Sequence, residues 1–217
     1  MKKQYAVIGL GRFGSSIVNT LVEAGNEVLA IDSNEKRVNE LEDAATHAVI
    51  ADATDEEALK AIGIRNIDTI IVAIGNDIQA SILTVLVLKE LGVNKVVVKA
   101  LNKRHGQVLE KVGADWVVFP EWDMGERVAH QLMLPNVLNF IELAKDYNIE
   151  EIKVPPNMSG KSLKELDIRA KLNLNVIAIK SKGRINISPS PDEVVQERDG
   201  LVMIGEKSNL HRFADFE

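Results

Sequence analysis

Gly9-Leu10-Gly11-Arg12-Phe13-Gly14 stands between an apolar run ending at Ile8 and a helical pattern that continues to Ala24. Glycines at this spacing are common in turns and by themselves say little. Between a strand and a helix each acquires a purpose. Gly9 permits a tight turn, Gly11 lets the backbone approach a pyrophosphate, and Gly14 lets helix and strand pack closely. Unpaired N–H groups at the helix start then favour an anion. Asp32 ends the next strand, near the spacing at which a carboxylate bonds ribose hydroxyls. Its charge would repel a 2′-phosphate, which disfavours NADP. The bland alternative is a turn followed by a solvated strand-end aspartate. The loop predicts an adenine nucleotide, with NAD(H) its commonest occupant.

Short β-branched runs alternate with helical stretches through residue 134. The predicted strands are Tyr5–Gly9, Glu27–Asp32, Ala48–Ala51, Thr69–Ala73, Lys95–Lys99 and Trp116–Phe119. Between them fall helices over Phe13–Ala24, Glu35–Asp43, Glu56–Ile62, Ile78–Leu91 and Lys103–Val112. Gly25, Gly92 and Gly113 suit left-handed caps at helix ends. Strands alternating with helices predict a parallel sheet with right-handed crossovers, an α/β Rossmann doubly wound domain over residues 1–134. Asp123–Met133 reads as a connecting or interface helix that Pro135 should break, with a further apolar-periodic stretch, Val137–Leu143, extending that connector. Residues 135–217 read as a small α+β domain. Its strand-like runs are Ile152–Val154, Val176–Lys180, Ile185–Ile187 and Leu201–Ile204, with helix over Leu163–Leu172.

A formal charge of −6 argues against a general basic surface for nucleic acid or anionic lipid. The absence of cysteine removes disulfides, thiolate metal sites and thiol nucleophiles. Tyr5–Leu10 is too short for a signal peptide's apolar core. The longest apolar stretch, Ala80–Leu91, is interrupted by Ser81, Thr84, Lys89 and Glu90, so no bilayer span is expected. The expectation is a cytoplasmic chain that reaches a membrane only through a partner.

Further contacts follow from position in such a fold. Asp52-Ala53-Thr54 follows the third strand and Gly75-Asn76-Asp77 the fourth, both at the nucleotide crevice. Thr54 and Asn76 would serve equally as helix N-caps. Arg12 is a long cation inside the phosphate loop, able to reach a terminal phosphate that a dinucleotide lacks; the alternative is a solvated side chain. An oxidoreductase would need an acid–base group facing the nicotinamide. Neither tyrosine is followed by lysine four residues on, and no histidine has a nearby carboxylate in sequence. No G-x-S-x-G or H-E-x-x-H occurs. A non-enzymatic reading is preferred, with an NAD-dependent oxidoreductase or a soluble nucleotide-sensing module as alternatives.

Taken together, the glycine loop, Asp32, Ala51-Asp52-Ala53-Thr54, Ala73-Ile74-Gly75 and Gly113-Ala114-Asp115…Phe119-Pro120-Glu121 resemble the RCK (KTN) domain. Gly160-Lys161-Ser162-Leu163, Leu166-Asp167-Ile168-Arg169, Asn175–Ile179 and Pro189-Ser190-Pro191 resemble that family's C-terminal module. The whole chain is thus similar to the gating subunits of Ktr/Trk potassium uptake systems, in their KtrA-type branch. Two departures are Asp199-Gly200, where Gly-Asp is usual, and Leu172-Asn173, where an aromatic residue and glycine are common. Asparagine also tolerates the left-handed conformation.

The resemblance implies a non-enzymatic regulator whose dimers assemble into a ring, typically an octamer. The ring would dock beneath a membrane-embedded, KtrB-like potassium-translocating subunit. ATP and ADP would occupy the N-domain, ATP activating, with contacts from Gly9, Gly11, Arg12, Phe13, Gly14, Asp32, Asp52, Ala53, Thr54, Ile74, Gly75 and Asn76. Arg12 would meet the γ-phosphate, and Lys99 would serve a phosphate or carboxylate. Glu121 would pair with its symmetry mate and hold a divalent cation, Mg²⁺ or Ca²⁺; unaided, it reads as a helix-start glutamate. Cyclic di-AMP would bind the C-domain at Leu163, Ile168, Arg169, Asn175, Ile177 and Pro191, positions that otherwise read as core or interface.

Overall fold

The structure, a computed structural model, describes residues 3–133 and 136–214. The chain divides into two compact units, Met1–Asp123 and Met124–Glu217. The expected boundary between residues 134 and 135, and the break at Pro135, fall outside the described residues.

In the first unit the strands are β1 (Gln4–Ile8), β2 (Glu27–Asp32), β3 (His47–Ile50), β4 (Thr69–Val72), β5 (Val96–Lys99) and β6 (Trp116–Val118). The helices are α1 (Arg12–Glu23), α2 (Glu35–Asn39), α3 (Glu56–Ala61), α4 (Ile78–Glu90) and α5 (Lys103–Val112). All strand pairs are parallel, in the order β3-β2-β1-β4-β5-β6. Near-continuous apolar strands allow this because both faces are covered. Ala6, Ile8, Ile70, Val72, Val96 and Val98 pack with Leu59, Val85, Leu88 and Leu109 from α3, α4 and α5. Val7, Val28, Ala30, Ile71 and Val97 pack with Val18 of α1 and Val38 of α2. The strand order reverses between β1 and β4, so the loops leaving those strands diverge and open a crevice at their carboxyl ends. The glycine loop leaves β1 at that point.

For the six strands and helices α1 to α5, boundaries agree with expectation to within a residue or so, with one exception. α2 stops at Asn39 rather than Asp43, and turns follow it. Each predicted glycine cap has positive φ. α6 (Pro120–Met133) begins three residues earlier than expected, so Glu121 lies in its first turn.

The second unit is an antiparallel sheet in the order β10-β9-β11-β8-β7. Its strands are β7 (Val137–Ala144), β8 (Tyr147–Lys153), β9 (Asn175–Ser181), β10 (Arg184–Ile187) and β11 (Gly200–Glu206). Helices α7 (Leu163–Leu166), α8 (Ile168–Leu172) and α9 (Lys207–Ala214) complete it. Leu166, Ile168, Leu172, Leu210 and Phe213 from these helices share a core with Ile152, Ile179, Leu201 and Met203.

Three expectations are corrected here. Val137–Leu143 does not extend a helical connector but forms β7, pairing Ile141 with Ile149 of β8. Its register shifts near both ends break the strict alternation that marks a strand. The helix expected over Leu163–Leu172 is two helices, because Asp167 takes a left-handed φ of 47° between them. α9 was not expected at all. The departures from the family pattern are accommodated: Asn173 caps α8 at φ 54°. The Asp199 carboxylate accepts the Gln196 N–H at 2.8 Å. A Cβ at Gly200 would lie 2.8 Å from Glu151 Oε1.

Candidate functional site

The glycine loop is specified by contacts, not by flexibility. Gly9 has φ +94°, and a Cβ there would lie 2.9 Å from the Ile74 backbone nitrogen. A Cβ at Gly14 would lie 2.0 Å from the Gly9 carbonyl oxygen. These two glycines therefore answer to the protein itself. Gly11 differs: its φ is −74°, and nothing lies within 4 Å of where its Cβ would be. Nothing in the described fold requires glycine there, which leaves the space in front of the loop as the reason. Gly11 caps α1 without a side-chain bond, and no acidic residue occupies the first turn. The helix end keeps its positive dipole uncompensated.

Asp32 is only 6% exposed. Its carboxylate accepts the Leu10 N–H at 2.7 Å, the Asn34 N–H at 2.8 Å and a guanidinium N–H of Arg37 at 3.4 Å. The solvated strand-end aspartate is thus ruled out. Asp32 ties the glycine loop to the end of β2.

Asp52 and Thr54 form a closed local pair. Asp52 Oδ1 accepts the Thr54 N–H at 2.9 Å and its hydroxyl at 2.7 Å. Those bonds, the backbone one foremost, hold the Asp52 carboxyl below its ordinary value. Ala53 is buried in the core. The helix-cap alternatives for Thr54 and Asn76 fail. Asp55 caps α3 and Asp77 caps α4, because their carboxylates reach the free N–H groups of each first turn. Asn76 is exposed, while Ile74 and Gly75 are half-buried.

Lys99, Phe13, Gly75, Glu121 and Arg12 come together at the crevice. Lys99 is 8% exposed. Its Nζ lies 5.7 Å from the Phe13 ring centroid and 3.5 Å from where a Gly75 Cβ would be. The same ammonium donates to Glu121 Oε1, across 22 residues of sequence. The Lys99 hydrogen bond foremost, opposed by slight burial and aided by the charges of Lys99 and Arg12, holds the Glu121 carboxyl below its ordinary value. Glu121 is therefore a charge partner within its own chain, more than a helix-start glutamate. Among the described residues no group of three or more acidic or histidine side chains could hold a metal. A divalent cation at Glu121 would need further oxygens, from phosphates or from a second copy.

His105 is buried, and its Nδ1 accepts the Leu101 N–H at 3.3 Å; burial pushes its pKa down. It is a neutral core histidine. Arg37 was missed by sequence reasoning, although an arginine five residues after the strand-end aspartate, on the opening turn of a helix, was the available signal.

In the second unit, Arg169, Asn175 and Pro191 are exposed, whereas Leu163 and Ile177 are half-buried. Ile168 belongs to the core. The Lys164 N–H donates to the Pro191 carbonyl at 2.7 Å, which brings the Pro191 loop against the start of α7.

Two domain families match this chain: the TrkA-N domain over residues 5–120 and the TrkA-C domain over residues 149–216. The chain is 50% identical over 213 residues to the Ktr system potassium uptake protein C of Bacillus subtilis, covering 98% of this chain and 96% of that one. It belongs to the TrkA-N/TrkA-C family of potassium uptake proteins. The Ktr system potassium uptake protein A of the same organism is also 50% identical, over 97% of this chain and 95% of its own. Among solved structures, the GsuK channel bound to NAD shares the fold, with a TM-score of 0.66 at 19% identity, over 99% of this chain and 40% of that one. Membership in the TrkA-N/TrkA-C family bears out the resemblance drawn from the motifs, and on it the chain is not an enzyme.

Proposed function

We propose that this chain is the nucleotide-responsive regulatory subunit of a Ktr-type potassium uptake system, activated by ATP relative to ADP. The names of its half-identical relatives support the potassium system. Among the described residues no helix is long and apolar enough to cross a membrane, so a separate potassium-translocating subunit would hold it at the inner face. The observation that carries the nucleotide is the cluster of Arg12, Lys99 and Glu121 beside the open backbone of Gly11. The α1 N-terminus and Gly11 would receive the diphosphate common to both nucleotides. Arg12, which donates no hydrogen bond to another described residue, would meet the terminal phosphate of ATP. A bound polyphosphate would supply the negative charge that this end of the crevice lacks.

Binding both nucleotides alike would shift nothing; only a difference in affinity between two assembly states can gate a partner. The assembly is proposed as a homo-oligomer, dimers closing into an octameric ring. Trp122, Met124, Val128, Leu132 and Met133 leave α6 with an exposed apolar surface, which supports self-association. Domain limits of 1–134 and 135–217 are retained in this proposal. A Mg²⁺ or Ca²⁺ ion at Glu121 would relieve repulsion between that carboxylate and the phosphates. Cyclic di-AMP would act on the second domain, with exposed Arg169 taking its phosphates and Leu163, Ile177 and Pro191 lining its bases.

Calorimetry on the full chain tests the central reading. Arg12→Ala should weaken ATP by about tenfold or more and ADP much less, since a charge-assisted contact is worth that factor. Equal losses would remove Arg12 from its role. Failure of both nucleotides to bind the unaltered protein would end the proposal.

A further inference from the structure

Arg37 lies in the short helix α2, whose first turn carries Glu35 and whose last turn carries Lys36 and Arg37. Its guanidinium turns back to Asp32, Nη1 lying 3.4 Å from Oδ2, with the arginine side chain 46% exposed and the carboxylate 6% exposed. That ion pair sits where the second strand ends, at the position from which this fold reads the ribose of an adenine nucleotide.

The two residues divide the work differently from what the aspartate alone suggests. Asp32 is engaged on both oxygens: Oδ2 takes the Leu10 N–H and Arg37, and Oδ1 takes the Asn34 N–H. Being buried, it offers a ligand little free surface. Arg37 uses one N–H on Asp32, and among the described residues its side chain makes no other ion pair. Guanidinium carries five N–H donors in a rigid fork. Arg37 therefore presents an exposed cation at the ribose end, beside the exposed Ser33, Asn34 and Glu35. An Asp32 standing alone would repel a phosphate there, but Asp32 paired with Arg37 presents the guanidinium outward.

We infer that Arg37 is a specificity-determining residue of the nucleotide site, making it accept adenine nucleotides that carry a phosphate on the ribose 2′-hydroxyl. The inference rests on the proposed nucleotide reading of the glycine loop. Arg37 would donate to the 2′-phosphate with the N–H groups not committed to Asp32, while Asp32 continues to anchor the loop.

The test is calorimetric titration of the full chain and of Arg37→Gln with three probes: ADP, NADH and NADPH. The last two differ only in the 2′-phosphate. The unaltered protein should bind NADPH within about threefold of NADH, since the added phosphate finds a partner instead of bare repulsion. Arg37→Gln should weaken NADPH by about tenfold or more, the loss expected for one charge-assisted contact, and change ADP and NADH by less than about threefold. Arg37→Lys should recover part of the NADPH affinity, because it keeps the charge without the fork. The inference is overturned if the unaltered protein binds ADP and NADH but rejects NADPH. Equal weakening of all three probes by Arg37→Gln also overturns it, since that would mark Arg37 as support for Asp32. If none of the three binds the unaltered chain, the nucleotide reading itself falls and takes this one with it.

Discussion

Gly11→Ala and Gly14→Ala should fail in opposite ways, and the reason lies in what each missing Cβ would meet. At Gly14 the added carbon would stand 2.0 Å from the Gly9 carbonyl oxygen and 3.3 Å from Ala73 Cβ. Even close carbon–oxygen contacts are about 3.3 Å, so α1 and the loop would have to part by roughly 1 Å. Overpacking of this kind costs about 1–3 kcal/mol or more, and alanine's better helix propensity returns at most about 1 kcal/mol. A net loss of about 2 kcal/mol corresponds to a melting temperature lower by roughly 4–8 °C in a chain of this size. At Gly11 the backbone, at φ −74° and ψ −174°, is open to alanine and the Cβ meets nothing. Reduced freedom in the unfolded chain gains about 0.4–1 kcal/mol, and the poorer N-cap loses a similar amount. Stability should stay within about 0.5 kcal/mol of the unaltered protein. ATP affinity should nevertheless fall by about tenfold or more, because the methyl group would hold the phosphate off the backbone N–H groups. Differential scanning calorimetry and ATP titration of both variants decide the matter. A Gly11→Ala protein that binds ATP normally, or melts as low as Gly14→Ala, would refute the assignment of Gly11 to a ligand.

Glu121→Gln should reduce the dependence of ATP binding on Mg²⁺, measured by titration with and without the ion; an unchanged dependence would leave Glu121 as the partner of Lys99 alone. The same variant should flatten the acid limb of stability. The folded carboxyl lies below its unfolded value of about 4.3, so its contribution is present above that pH and is lost as pH falls. Asp115→Asn should act likewise on the β5–β6 edge. Burial opposes its ionisation, but the Val96 N–H at 2.7 Å and Lys89 at 3.0 Å outweigh that and lower its pKa. Denaturant melts should show a loss of about 1 kcal/mol at pH 7, discounted for exposure, which shrinks as pH falls below the unfolded value of about 3.9; a loss that stays constant on acidification would contradict the linkage. Arg169→Ala in the full chain should weaken cyclic di-AMP by about tenfold or more; undiminished binding would move the second-messenger site away from Arg169, and no binding by the unaltered chain would remove it.

The first unit was legible because its local signals agree with its tertiary ones. Val96-Val97-Val98 is apolar on both sides because helices cover both sheet faces, and each glycine that ends a helix takes positive φ. β7 was not legible for a physical reason. Val137, Phe140, Ile141 and Leu143 fall at a helix's spacing, and the register shifts that spoil strand alternation are set by pairing with β8. The break at Asp167 is equally tertiary. A left-handed aspartate carries no signature that separates it from a helical one. α9 left a signal in Leu210, Phe213 and Ala214, spaced for one face of a helix and all buried, but the stretch was too short to stand out.

The site shows the same division, between residues named by spacing and pairs made by the fold. Glycine spacing and a strand-end carboxylate can be read along the chain. Lys99 with Glu121, and Asp32 with Arg37, are ion pairs whose meaning depends on which partner is buried. Lys99 is the buried member of its pair, so its ammonium is fixed by Glu121 and the Phe13 ring and is not free to follow a ligand. Arg12 feels the same carboxylate but donates no hydrogen bond to another described residue. Two cations share one carboxylate at this end of the crevice, which leaves about one positive charge unanswered. ADP and ATP differ there by about one negative charge and three acceptor oxygens. On the proposed reading, discrimination between them would be an electrostatic match completed by Arg12, with Lys99 and Glu121 setting how much charge remains to be matched.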